Sequence, residues 1–108
     1  MEGEVRAPTI ELVKKATMKV FNVSKTDLES PSKARTVVYP RQIAMYLCRE
    51  QTHKSFPQIG RAFGRRDHTT VLYAHRKLTK ALPKDTELAA DIARVAAAIL
   101  ELQAAGGH

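Results

Sequence analysis

Cysteine occurs once in the 108 residues, at position 48, and tryptophan not at all. A lone cysteine excludes an intrachain disulfide and a zinc site built on several thiolates. It makes an intracellular protein the default expectation. Aromatic residues are only 6% of the chain, so the core must be mostly aliphatic. No apolar run approaches the roughly 20 residues of a membrane span. The polar, acidic start "MEGEVRAPTI" does not have the pattern of a signal peptide. There is no internal repeat and no G-x-x-x-x-G-K-[ST] loop. The chain is therefore expected to carry no ATPase, no cofactor, no metal and no catalytic residue of its own.

What is present is the balance of a globular protein, 44% hydrophobic and 27% charged. The length suits one small domain. The net charge is +7 and the sequence pI about 9.9. A basic balance alone is compatible with nucleic acid, a membrane surface or simple solubility. The distribution says more. Eleven Lys/Arg and two Asp/Glu fall between Lys33 and Lys80, against seven and nine in the rest. A solvated face explains any one of these bases, but explains the asymmetry poorly.

The periodicity predicts an all-α fold, a compact helical domain of about six helices with a basic loop and a helix-turn-helix. A first helix starts near the N-cap Thr9, with Ile10, Val13, Thr17, Val20 and Phe21 facing inward. A short helical piece follows at Thr26–Glu29. "SPSKARTVVY" has no helical period and reads as a basic loop. Pro40 suits the first position of the next helix, with Ile43, Ala44, Leu47 and Cys48 on its buried face. Arg41, Gln42, Met45 and Arg49 lie largely on other faces. Ser55 and Gln58 make a capping box, and Gly64 can stop that helix in the left-handed region. Asp67 caps "HTTVLYAHRKLTKAL", whose buried stripe is Val71, Ala74, His75, Leu78 and Leu82, and Pro83 ends it. A last, alanine-rich helix runs from about Thr86 to Ala104, with Leu88, Ile92, Val95, Ile99 and Leu102 on one face. The expected organisation is a disordered N-terminus over 1–8, one helical domain over 9–104 with the helix-turn-helix at about 56–82, and a frayed tail over 105–108.

Two short helices joined by a tight, glycine-containing turn are a helix-turn-helix candidate. In such a unit the second helix lies in the major groove with its N-terminal residues on base edges. Here those residues are Asp67, His68, Thr69 and Thr70. They can donate, accept or offer a methyl to thymine, and a helix N-terminus favours phosphate.

"RDHTTV" at Arg66–Val71 and "PRQIAMYL" at Pro40–Leu47, in this order and spacing and with "PQIGRAFG" between them, resemble the C-terminal DNA-binding domain of the bacterial chromosomal replication initiator DnaA. The resemblance spans roughly Pro8 to Leu82. It implies a Trp-repressor-like helix-turn-helix that binds double-stranded DNA as a monomer, at boxes of the TTATCCACA type in replication initiation or its regulation. By position it implies base contacts from Asp67, His68, Thr69 and Thr70. It puts Lys33 and Arg35 in a loop that enters the minor groove. Phosphate contacts are expected from Arg41, Gln42 and Arg49, and the turn arginines Arg65 and Arg66 join them. The family often has a second glycine where Arg65 stands, more arginine around Lys33, and leucine at Phe56. The expected home is the cytoplasm, on the nucleoid, with no membrane. Two readings of the unit stay open, an excised domain and a small free-standing relative beginning at Met1. A free-standing copy would compete for initiator boxes, regulate transcription, or act as an interaction module on the full-length initiator through the alanine-rich last helix or the surface around Phe56.

Plainer readings stand beside these. Asp67 is an N-cap whatever else it does. His68 and His75 are seven apart, where a helical metal pair wants four. His75 and the tyrosines Tyr39 and Tyr46 read as packing residues, and Cys48 as core rather than nucleophile. Ser55, Thr69 and Thr70 have no orienting partner or oxyanion site for catalysis.

Overall fold

The computed structural model describes residues 7–106. Its elements are α1 (Ile10–Phe21), α2 (Lys25–Glu29), α3 (Arg35–Gln51), α4 (Phe56–Ala62), α5 (His68–Ala81) and α6 (Thr86–Gly106), with no strand among the described residues. Thr9 caps α1 by accepting from the Leu12 amide at 3.0 Å. Ser24 with Asp27 and Ser55 with Gln58 form reciprocal capping boxes on α2 and α4. Each supplies acceptors for amides that have no partner within the helix.

The expected start of α3 at Pro40 moves back to Arg35, so half of the supposed basic loop is helix. A proline inside a helix removes one donor, here the partner of the Thr36 carbonyl four residues earlier. Thr36 is exposed and lies in the first turn, where water can take the place of that donor. The end of α6 also differs. The tail expected to fray from 105 is helical through Gly106, while 107–108, like 1–6 of the expected disordered N-terminus, lie outside the described residues.

Helix α3 is the hub and touches each of the other five helices. Its buried side chains include Ile43, Ala44, Leu47 and Cys48, as the period predicts, and also Met45 and Arg41. Helices α1 and α6 pack together on one flank of α3, and α5 packs on another, carrying α4. The expected stripes are buried at their centres, Val13 and Thr17 in α1, Val71, Ala74 and Leu78 in α5, and Leu88, Val95 and Ile99 in α6. Their outer members Ile10, Val20, Phe21, Leu82, Ile92 and Leu102 are half-buried. Tyr39 packs edge-on against Phe21 and donates its hydroxyl to the Asp91 carboxylate at 2.6 Å, fastening α3 to α6. Burial of Cys48 pushes its thiol up to about 12.

Lys14, like Arg41, is a charged side chain buried against the pattern. It is 2% exposed. Its ammonium donates to the Glu29 carboxylate and the Ala62 carbonyl, and sits 5.1 Å from the centre of the Phe63 ring. It thereby joins α1 to the ends of α2 and α4. The Lys14 ammonium holds the Glu29 carboxyl below its ordinary value of 4.5, against the opposing effect of partial burial.

Candidate nucleic-acid interface

The turn from α4 to α5 determines what α5 presents. Gly64 at φ 78° and Arg65 at φ 59° are two successive left-handed residues. The Arg66 amide then returns to the Gly60 carbonyl at 2.8 Å. A Cβ at Gly60 would strike the Arg66 carbonyl oxygen, and one at Gly64 the Glu29 carbonyl oxygen, both well inside the 3.0 Å that real Cβ atoms keep. The two glycines let backbone meet backbone, so α5 starts tight against α4 and α2. A left-handed φ at 65 also explains why glycine suits that position and why Arg65 carries backbone strain there.

Asp67, His68, Thr69 and Thr70 emerge exposed and side by side at the start of α5. Asp67 caps the helix through Oδ1, which accepts from both the amide and the hydroxyl of Thr69 at 2.8 Å. The Thr69 amide, then its hydroxyl, and the neighbouring His68 hold the Asp67 carboxyl below the usual carboxylate range, so it stays an acceptor. The His68 Nδ1 stands 3.3 Å from the same oxygen. Because the Thr69 hydroxyl proton is committed to Asp67, Thr69 offers outward its methyl and its oxygen as an acceptor.

The residues expected in the loop and on phosphates divide. Lys33 is exposed in the irregular segment before α3, while Arg35 is the first residue of the helix, its guanidinium 5.7 Å from the Tyr39 ring. Gln42 is half-buried on the α3 face toward α5, where its Oε1 accepts from Lys77 at 3.4 Å. Arg49 is exposed, lies 4.4 Å over the Phe56 ring and donates to the Lys54 carbonyl at 3.1 Å, closing the α3–α4 connection. Arg65 is exposed.

Arg41 and Arg66 depart from expectation. Arg41 is 6% exposed. Its Nε donates to the Leu28 carbonyl at 3.2 Å, its Nη1 to Ser32 at 2.9 Å, and its Nη2 to Asp27 and Ser30, both at 3.0 Å. A guanidinium has five N–H groups, and four of them are thus committed to backbone. Arg66 is half-buried and donates to the same Ser30 carbonyl. Burial, and then the neighbouring Arg66 charge, lowers the pKa of Arg41. The sequence shows two cations where the fold uses two carbonyl clasps.

Between the Pro31–Lys33 segment, α3 and the start of α5 lies an open cleft of about 320 Å³. Lys33, Gln42, Arg66, Asp67 and Thr70 are on its walls, with Val38, Met45 and Tyr73.

A family model described as "Bacterial dnaA protein helix-turn-helix" matches residues 10–78. The chain belongs to this family. Among similar proteins are those named chromosomal replication initiator protein DnaA from Rhizobium meliloti (strain 1021), 49% identical over 90 residues, and from Brucella abortus biovar 1 (strain 9-941), 48% identical over 90. The same-named protein of Lactiplantibacillus plantarum is 49% identical over 88 residues. The matches cover 82–83% of this chain but 18–19% of those proteins, so it spans about a fifth of their length.

On this DnaA helix-turn-helix, the exposed face of α5 continues beyond the four expected residues. Tyr73 is 62% exposed, and Arg76, Lys77 and Lys80 are exposed after it. None stands out in the sequence alone, although Tyr73 follows Thr69 by four and Thr70 by three, the spacing of one helical face. His75 lies on the opposite side, stacked on Tyr46 with ring centres 5.3 Å apart and 2.7 Å from a Glu50 carboxylate oxygen. It is the packing histidine the sequence suggests.

Proposed function

We propose that this DnaA-family domain binds double-stranded DNA sequence-specifically, at boxes of the TTATCCACA type in replication initiation or its regulation. The observation that carries this reading is the grouping of Asp67, His68, Thr69 and Thr70. All four are exposed at the start of a helix that backbone contacts hold in a fixed place. In the major groove, Asp67 would accept from a cytosine amino group, and His68 and Thr69 would meet base edges and a thymine methyl. Lys33, across the cleft, would lie in the neighbouring minor groove.

The two grooves are separated by one sugar–phosphate strand. A protein that reads the major groove with α5 and the minor groove with the Lys33 segment must carry that strand over the cleft between them. Gln42, Lys77 and Tyr73 offer amide, ammonium and phenol groups to its phosphates, and Arg49 and Arg65 extend the basic rim. These contacts set register and supply the salt-sensitive part of the affinity, while the start of α5 supplies the selectivity.

Fluorescence anisotropy with a box duplex and a scrambled duplex, each at two salt concentrations, tests the reading. A preference for the box that persists at higher salt is expected. Equal, salt-sensitive binding to both would refute sequence-specific recognition of this box. No binding to either would favour the rival reading, an interaction module on the full-length initiator working through α6, where Leu100 stands 61% exposed.

A further inference from the structure

The carbonyls that Arg41 and Arg66 hold are all in one stretch. Asp27 and Leu28 belong to α2, Ser30 ends it, and Ser32 immediately precedes Lys33. Inside this stretch two hydroxyls continue the bracing, as the Ser32 amide donates to Ser30 Oγ and the Ala34 amide to Ser32 Oγ, both at 3.2 Å. The same stretch is held from below. The Glu29 carbonyl packs on Gly64, and the Glu29 carboxylate is bound by Lys14, which also binds the last carbonyl of α4. One of the two clasping arginines projects from α3. The other directly precedes Asp67, the cap of α5.

We infer that Arg41 and Arg66 are positioning residues that dock the Lys33 segment onto the helix-turn-helix and fix its place relative to the start of α5. This rests on the DNA-binding reading above and adds to it a link between the two reading elements. Four of the five donors of Arg41 point in the fixed directions of a planar fork to four different carbonyls. Lysine has the charge but not the fork. A phosphate contact tolerates the exchange far better than a four-carbonyl clasp does. The segment itself has no helix or strand ladder to order it from Pro31 to Ala34. Its order comes largely from side chains: Arg41 holds the Ser32 carbonyl, both arginines hold Ser30 just before it, and the Ser30 and Ser32 hydroxyls accept from the Ser32 and Ala34 amides.

The test compares the wild-type chain with Arg41→Lys and Arg66→Gln, alone and combined with Lys33→Ala. In the free protein, amide hydrogen exchange at Ser32 and Ala34 should rise about tenfold or more in each clasp variant, while exchange in the core of α3 stays slow. On DNA, the ratio of box to scrambled affinity should fall about tenfold, with affinity for the scrambled duplex little changed. In the Lys33→Ala background the same clasp substitutions should cost little further selectivity, because they act through the segment that bears Lys33. Unchanged exchange at Ser32 and Ala34, equal loss on both duplexes, or full additivity with Lys33→Ala would each overturn the inference and make these arginines ordinary phosphate contacts. Should Arg41→Lys fail to fold, Arg66→Gln carries the test alone, since Arg66 is half-buried and contributes a single clasp. The exchange measurement uses no DNA. It separates failure of the clasp from failure of the box reading, which the wild-type chain alone would reveal by showing no preference between duplexes.

Discussion

Replacing Gly60 by alanine sets two effects of opposite sign against each other. Gly60 is inside α4, and alanine is favoured over glycine in a helix interior by about 1 kcal/mol. Propensity alone therefore predicts a more stable protein. Against this, the added methyl would strike the Arg66 carbonyl oxygen and lie 3.3 Å from its carbon, and these are backbone atoms that cannot rotate away. The turn must retreat by an appreciable fraction of an ångström. That costs roughly 1–3 kcal/mol as overpacking. It also stretches the 2.8 Å bond from the Arg66 amide to the Gly60 carbonyl, worth about 1 kcal/mol net. The clash wins, with a net loss of about 1–3 kcal/mol and a fall in Tm of roughly 5–15 °C. The retreating residue is next to Asp67, so affinity for a box duplex should fall by more than affinity for a scrambled one. Gly106→Ala is the control, since a Cβ there meets nothing within 4 Å, and it should leave Tm unchanged or slightly raised. Thermal unfolding followed by circular dichroism, with anisotropy on the same samples, decides the matter. A Gly60→Ala protein with unchanged or higher Tm and undiminished box preference would refute the argument that close backbone approach at this turn positions α5.

His68→Ala or Thr69→Ala should each cost about 1–3 kcal/mol on the box and much less on scrambled DNA, and equal losses on both by titration would remove them from base contact. Lys77→Gln should weaken both duplexes evenly and reduce the slope of log affinity against log salt by about one unit, which a salt series would show. Lys14→Met should destabilise the fold by about 2 kcal/mol, below the ~3–5 kcal/mol of a fully buried pair, because Glu29 is 29% exposed and keeps Lys25 at 3.3 Å. Since the folded-state pKa of Glu29 is depressed, its contribution is present above the ordinary value of 4.5 and is lost as pH falls through the lower folded value. Denaturant titrations across pH 3–6 (roughly the range that brackets the carboxylate) should therefore show a shallower acid loss in Lys14→Met than in wild type. Arg65→Gly should raise stability by about 1 kcal/mol by relieving a left-handed φ and lower affinity on every sequence, so a variant that gains stability with no loss of binding would take Arg65 off the phosphates.

Much of the reading head could be seen in the sequence because its determinants are local. A capping box is complete within four residues, as at Ser55–Gln58, and the helix N-cap at Asp67 and the left-handed stop at Gly64 are equally short-range. Helical periodicity then picked out the buried centres of α1, α5 and α6. What escaped was decided by distant partners. Nothing near Arg41 in sequence announces that its donors will go to carbonyls 9 to 14 residues earlier, and "PRQ" reads naturally as charge on a helix surface. Lys14 is held by Glu29 and Ala62, 15 and 48 residues away in sequence. Pro40 suits a helix start so well that the preceding turn reads as loop, although the first turn of a helix has donors to spare and exposed carbonyls that water can serve. Tyr73 goes unmarked in the sequence for the opposite reason. An aromatic residue beside a buried stripe is usually core, and the helical spacing of Tyr73 from Thr69 and Thr70 is the local sign that it faces out.

The state of Cys48 has a practical use. The chain has one thiol, it is fully buried, and it is pushed up to about 12. At mildly alkaline pH almost none of it is the reactive thiolate, and a reagent cannot reach it while the core is closed. Alkylation of the unmodified protein therefore proceeds only through opening of the core around α3, and its rate in excess reagent gauges how often that happens. A thiol introduced on the exposed side of α6, for example by Leu100→Cys, would react alone. A fluorophore could be placed there, away from the proposed DNA face, without first removing the native cysteine.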